Sequence, residues 1–206
     1  MNKTQPTLKV LAVAAAFLVL SGCNKLSREA ESSSLIIIES ITGTTTEGDV
    51  VAFLQSDVLR DGALGTYVAA DVATANIMIR LVNPDPIDPP SQFNDVILTN
   101  YRVTFELPSA PGTPGTDVPL PFDGNFSTVL CPVDESTAVP FAIVLEAAKL
   151  AAPLVGLVGT TTVIESKAKI EIFGHDLNDK PVTATGYLTI YFGDYEEAAA
   201  PSPIKR

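Results

Sequence analysis

The chain holds few residues able to do covalent chemistry. Its single histidine, His175, stands beside Asp176. A hydrolytic triad needs a nucleophile, a base and an acid that orients the base, so His175 is the one imidazole available. It falls in the segment His175 to Pro181, which also holds Asp176, Asn178 and Asp179. That is the composition of a hairpin connection, and it reads His175 as a solvated turn residue. There is no Gly-x-Ser-x-Gly and no phosphate-binding glycine loop. One His and one spare Cys cannot supply a zinc site built from several such ligands. Calcium is the better metal candidate, because a hard cation wants oxygens. Its candidate ligands are Asp176, Asn178 and Asp179, with Asp85 and Asp88 as a second acidic loop. Neither set has the full EF-hand spacing, and ordinary loop solvation is the competing reading. Carboxylate pairs of the glycosidase kind can always be drawn from 24 acidic residues. No catalytic residue is assigned on that ground.

Binding chemistry has two candidates. Tyr187 and Tyr191 share the polar face of one strand with Thr189 between them, and Phe173 takes the outward register of the strand before it. Aromatic rings on a Thr-rich face suit a glycan or a partner protein, or simply pair across an antiparallel sheet. The run from Ala138 to Val158 is strongly apolar, interrupted by Glu146 and Lys149. It reads as a core strand plus a short helix, or as a groove for a partner, a lipid chain or a small apolar ligand.

The elements that must position these residues are mostly strands. Ala73, Ala75, Ile77, Ile79 and Leu81 alternate with Thr74, Asn76, Met78 and Arg80, the period of a half-buried strand. Val96 to Leu107 repeats the pattern, with Ile97, Thr99, Tyr101, Val103, Phe105 and Leu107 expected inward. Ala168, Ile170 and Ile172 oppose Lys167, Lys169 and Glu171. Val182, Ala184, Leu188, Ile190 and Phe192 oppose Thr183, Thr185, Tyr187, Thr189 and Tyr191. Further strands are expected at Leu35 to Ile41, Val50 to Leu59, Val139 to Leu145, and Val118 to Val129 with a break at Asp123-Gly124. Glu146 to Ala152 is the one helical piece, limited by Pro153.

Seven or eight short strands separated by turn signals predict an all-β fold, an antiparallel β-sandwich of immunoglobulin-like or related Greek-key order. A small open barrel is the competing architecture. Absence of Trp excludes an antibody-type domain with its Cys…Trp…Cys hallmark. Of the 206 residues, 46% are apolar and 18% charged, and the net charge is −11. An acidic disordered tail would be poorer in apolar residues. A nucleic-acid binder would carry an excess of Lys and Arg, so no nucleic-acid partner is expected.

Residues 1–22 stand apart from this pattern. Lys3 and Lys9 precede eleven apolar residues, Val10 to Leu20, and Leu20-Ser21-Gly22-Cys23 follows. The run is too short for a bilayer core, which needs about 20 residues, and it reads as a cleaved signal peptide. The Leu-Ser-Gly-Cys ending resembles the lipobox of bacterial lipoprotein precursors. That resemblance implies a diacylglycerol on Cys23, cleavage before it, and a further acyl chain such as palmitate on its amine. Each buried lipid CH₂ contributes about 0.8 kcal/mol, so two or three chains give a stable anchor. Asn24 rather than Asp follows the Cys, which in this resemblance implies the outer membrane, on its periplasmic or surface face. Cleavage removes Lys3 and Lys9 and makes the domain still more acidic, so lipid rather than charge must hold it at the membrane. Cys131 then has no partner in the chain and reads as a buried, inert thiol. An intermolecular disulfide, or a Cys23–Cys131 bridge without lipidation, are the alternatives.

Ile77 to Pro84, ending Val82-Asn83-Pro84, followed later by Tyr101-Arg102-Val103, resembles the strand, Asn-Pro, strand pattern of water-stress and late-embryogenesis-abundant sandwich domains. That resemblance implies a desiccation-associated, non-enzymatic role. The expected organisation is a signal peptide at 1–22, lipidated Cys23 and a flexible tether at 23–33, one sandwich at 34–195, and a frayed tail at 196–206. The expected function is that of a membrane-anchored envelope lipoprotein whose domain is structural or interacting. Its partner would be another envelope protein or a surface polymer. A glycan or small apolar ligand module is the alternative, and a hydrolase the third reading.

Overall fold

Alternation every two residues puts one side of a strand in the core, and it accounts for most of this molecule. The computed structural model describes residues 31–62, 65–83 and 90–195. The leader 1–22, Cys23, most of the tether, the Asp85/Asp88 loop and the tail 196–206 lie outside the described residues. The strands are β1 (Ser34–Thr44), β2 (Val50–Val51), β3 (Phe53–Asp57), β4 (Arg60–Gly62), β5 (Gly65–Tyr67) and β6 (Asp71–Leu81). They continue with β7 (Val96–Glu106), β8 (Phe122–Cys131), β9 (Ser136–Val144), β10 (Ile164–Asp176) and β11 (Pro181–Gly193). A single turn of helix, α1, spans Glu146–Lys149.

Among the described residues the strands form two main sheets, ordered β2-β1-β6-β9 and β3-β11-β10-β7-β8, with β4-β5 as a small separate ribbon. This is an all-β sandwich built from two facing sheets, one of them mixed. Its core is built from both inner faces: Ala73, Ala75, Ile77 and Ile79 of β6 are buried, as are Ala168, Ile170 and Ile172 of β10 and Leu188, Ile190 and Phe192 of β11. Not every pair is antiparallel as expected. β3 runs parallel to β11, with Phe53 opposite Thr189 and Asp57 opposite Gly193. The first part of the chain is therefore shared between sheets: β1 joins β6, and after a bend β3 joins β11. Glycine makes this seam narrow. A Cβ on Gly186 would meet the Ile41 Cδ1 at 2.6 Å, and one on Gly43 would meet Leu54 Cβ at 2.7 Å.

Three expectations are corrected. At the start of β7, Val96 and Leu98 are buried and Thr99 is exposed, whereas Tyr101, Val103 and Phe105 face inward as expected. Thr99 is an extra residue, since Leu98 pairs with Gly174 and Asn100 with Phe173. A one-residue bulge inverts which side faces inward, so the alternation read from Tyr101 onward fails before it. There is no break at Asp123-Gly124: both residues pair, with Arg102 and Tyr101. The helix stops at Lys149 rather than Ala152. The ring of Pro153 would clash with the carbonyl four residues earlier, that of Lys149, and the residue before a proline avoids the helical region.

The sandwich has two ends. The near pole holds the start of β1, the end of β6, the turn Gln92–Asn94, the start of β7 and the β10–β11 turn. The far pole holds the ends of β3, β7, β9 and β11, together with α1 and the short 3-10 turn Leu154–Leu157.

Candidate functional site

The turn after β10 is organised by Asp176. Its Oδ1 accepts the backbone N–H groups of Asn178 and Lys180, each at 2.9 Å, and its Oδ2 accepts the Ser32 hydroxyl at 2.6 Å. Burial alone would push this carboxyl up, but the Ser32 hydroxyl and the two amides outweigh it and hold the group below the usual aspartate range. Asn178 donates its side-chain amide to the Phe93 carbonyl at 3.2 Å. Asp179 has a positive φ of 60 and points its carboxylate into solvent. The three expected calcium ligands thus point apart, with Asp176 turned inward and Asp179 outward. Among the described residues no three His, Cys, Asp or Glu side chains are grouped to hold a metal ion. His175 Nδ1 lies 3.0 Å from the Asp176 carbonyl and 3.7 Å from Asp179 Oδ1. No nucleophile is among these neighbours.

Phe173, Tyr187 and Tyr191 do lie on one outer sheet face, but they are strung along it. Phe173 is opposite Thr183, Tyr187 opposite Lys169 and Tyr191 opposite Glu165. Successive aromatics are therefore four residues apart in register, roughly 13 Å along a strand. Tyr187 is half exposed, with the Lys167 ammonium 4.1 Å above its ring, an arrangement that occupies the ring face with a cation. Tyr191 packs edge-on against Phe53, with centroids 5.7 Å apart.

The apolar run 138–158 divides between core and surface. Val139, Phe141, Ile143, Val144, Leu154 and Leu157 are buried, while Leu150, Val155 and Val158 face outward at the far pole. Inside it lies the group that sequence reading missed. Lys149 is fully buried, its Nζ 2.8 Å from Asp71 Oδ2 and donating to the Asp57 carbonyl oxygen at 2.7 Å. Ser56 donates to Asp71 Oδ2 at 2.6 Å, and Arg60 to Asp71 Oδ1 at 2.9 Å. Burial pulls the Lys149 ammonium below the usual lysine range, opposed by the Asp71 carboxylate. Asp57 is also buried. Its Oδ1 accepts the amides of Leu59 and Tyr195, each at 3.3 Å, and its Oδ2 has no partner. Burial pushes this carboxyl up, against the pull of those two amides. The cluster ties α1 to the end of β3 and the start of β6 through Lys149, Asp71, Ser56, Arg60 and the Asp57 carbonyl. A signal for it was present: Asp71 shares the parity of Ala73, Ala75 and Ile77, the buried side of β6.

Cys131 is a buried free thiol at the end of β8, raised above the usual thiol range by burial and opposed by a hydrogen bond with Thr137. Two open clefts are polar-rimmed. One, of about 510 Å³, lies at the near pole between Glu31–Ser33 and Leu81–Asn83, with Asn94. The other, of about 340 Å³, is bordered by Arg102, Thr104, Pro121, Phe122 and Asp123. Arg102 and Asp123 pair there at 2.7 Å.

The near pole is knitted around the incoming chain. Besides the Ser32–Asp176 bond, Ser34 donates to the Asn94 carbonyl at 2.6 Å and Asn94 donates its amide to Ser33 at 2.8 Å. The Leu177 amide reaches the Asp95 carbonyl, and Asp95 Oδ1 accepts the Val133 amide at 3.0 Å. The last residues of the expected tether are thus fixed to the sandwich before β1 begins. Compared with protein-family models, with curated proteins and with solved structures, the chain finds no match in any of the three.

Proposed function

We propose that the protein is a lipid-anchored component of a bacterial envelope whose β-sandwich acts by contact rather than by catalysis. The observation that carries this reading is the leader Lys3 to Leu20 closing on Leu20-Ser21-Gly22-Cys23. It provides a covalent anchor where no transmembrane helix is needed. Among the described residues, no helix is long and apolar enough to cross a membrane. The domain geometry agrees with a contact role. The buried polar groups, Asp71, Lys149, Asp176 and Ser56, hold elements together, and His175 Nδ1, at the end of β10, lies beside the Asp176 carbonyl and the Asp179 carboxylate. Asn24 favours the outer membrane as the destination, with an envelope protein or surface polymer as the partner.

The test is substitution of the anchor. Cys23→Ala should move the protein from the membrane fraction to the soluble fraction, and the N-terminal peptide of the unaltered protein should carry the mass of a diacylglycerol. Tight membrane association of the variant, or an unmodified Cys23 in the mature protein, would refute the reading.

A further inference from the structure

We propose that the near pole of the sandwich seats directly on the bilayer surface, so that the domain stands pole-down on its own anchor; this rests on Cys23 being lipidated. The first observation is where the chain outside the structure ends. The first described residue, Glu31, lies eight positions after Cys23. Those residues span at most about 28 Å when fully extended. The main strands, at 11 to 13 residues, are about 40 Å long. From Ser32 onward the chain is hydrogen-bonded to the pole. The near pole is thus held within less than one domain length of the lipid, while the far pole is not.

The second observation is what the pole presents. Val82, Phe93 and Leu177 are 55%, 53% and 37% exposed. They come from three separate segments held in one place: Val82 donates its amide to the Ser33 carbonyl, Asn178 binds the Phe93 carbonyl, and Leu177 donates its amide to Asp95. Leu35 and Leu130 are also exposed, at the strand ends beside them. The chain is strongly acidic, so its charge is repelled by anionic headgroups rather than drawn to them. A pole with apolar tips is the means by which such a domain can settle into the headgroup region. Leu150, Val155 and Val158 expose apolar surface too, but at the pole facing away from the anchor.

The experiment uses full-length, lipidated protein reconstituted in phosphatidylethanolamine and phosphatidylglycerol vesicles. A bimane label is placed singly by Phe93→Cys, Leu177→Cys or Val155→Cys; Cys131 is buried and is not labelled. Nitroxide-bearing lipids should quench the labels at 93 and 177 at least twofold more strongly than the label at 155, and aqueous iodide should show the opposite order. Equal quenching at the two poles would overturn the proposal while leaving the anchor intact. Shielding of position 93 from iodide without quenching by nitroxide lipid would also overturn it, by showing a protein occupant. Labels at both near-pole positions guard against one substitution disturbing the fold. Mass measurement of the N-terminal peptide separates the two failures, because an unmodified Cys23 refutes the anchor itself.

Discussion

Lys149 is a buried ammonium held by the Asp71 carboxylate and the Asp57 carbonyl, with the Arg60 cation nearby opposing its charge. Taking a charge out of water costs several kcal/mol unless an opposite charge and hydrogen bonds replace the solvent. Here Asp71 and the Asp57 carbonyl do so. Lys149→Met keeps the volume and strands Asp71 with Arg60 and Ser56 alone. Urea denaturation should show a loss of about 3 kcal/mol, the order found when one partner of a buried pair is removed. A loss below about 1 kcal/mol would mean that the pair is solvated. Asp57 supplies a pH test. Its folded-state affinity for a proton is raised by burial. Its contribution to stability is therefore full below the ordinary aspartate range and is lost as pH rises through the raised value. Asp57→Asn removes that titration. The variant should gain on the unaltered protein as pH rises from about 3 to 7, measured as the difference in unfolding free energy at each pH. A difference independent of pH would place the charge in contact with water. Neither residue stood out in the sequence. Lys149 reads as an interruption in an apolar run, because nothing local announces that Asp71, far away in the chain, will meet it.

Elements were legible wherever the period of two ran unbroken. The inward residues of β6, β10 and β11 follow directly from their spacing, because a strand with one buried face must alternate. Bulges were not legible. Thr99 and Glu39 are ordinary strand residues in composition, yet each is skipped in pairing, and only the neighbouring strand decides that. Gly124 shows the reverse error. Beside Asp123 it looks like a turn, but it pairs opposite Tyr101. The space a side chain would need there is filled by the Tyr101 ring, which packs against Phe122, Phe126 and Phe141. Gly124→Ala should therefore destabilise by about 1–3 kcal/mol, as overpacking does. Thermal unfolding checks it, and an unchanged midpoint would mean that β8, as an edge strand, shifts freely to make room. The outward face was half legible: the parity of Phe173, Tyr187 and Tyr191 and the Tyr187–Tyr191 spacing follow from the sequence, but the position of Phe173 relative to them is fixed by β10–β11 register, which depends on the length of the turn at Asp176.

At the scale of the whole molecule, the parallel pairing of β3 with β11 changes how the domain responds to force. The chain enters at the near pole through Ser34 and leaves the described sandwich at the far pole through Gly193. A pull between a membrane anchor and anything gripping the far end would act along the strand axes. β1 would be drawn one way against β6, and β11 the other way against β3. Ladders loaded in this sense slide rather than peel, so their hydrogen bonds strain together instead of opening one at a time. The seam at Gly43 and Gly186, where a Cβ would have no room, lies across that line of tension. The same arrangement that divides the first strands between two sheets makes the sandwich a stiff link between its two ends.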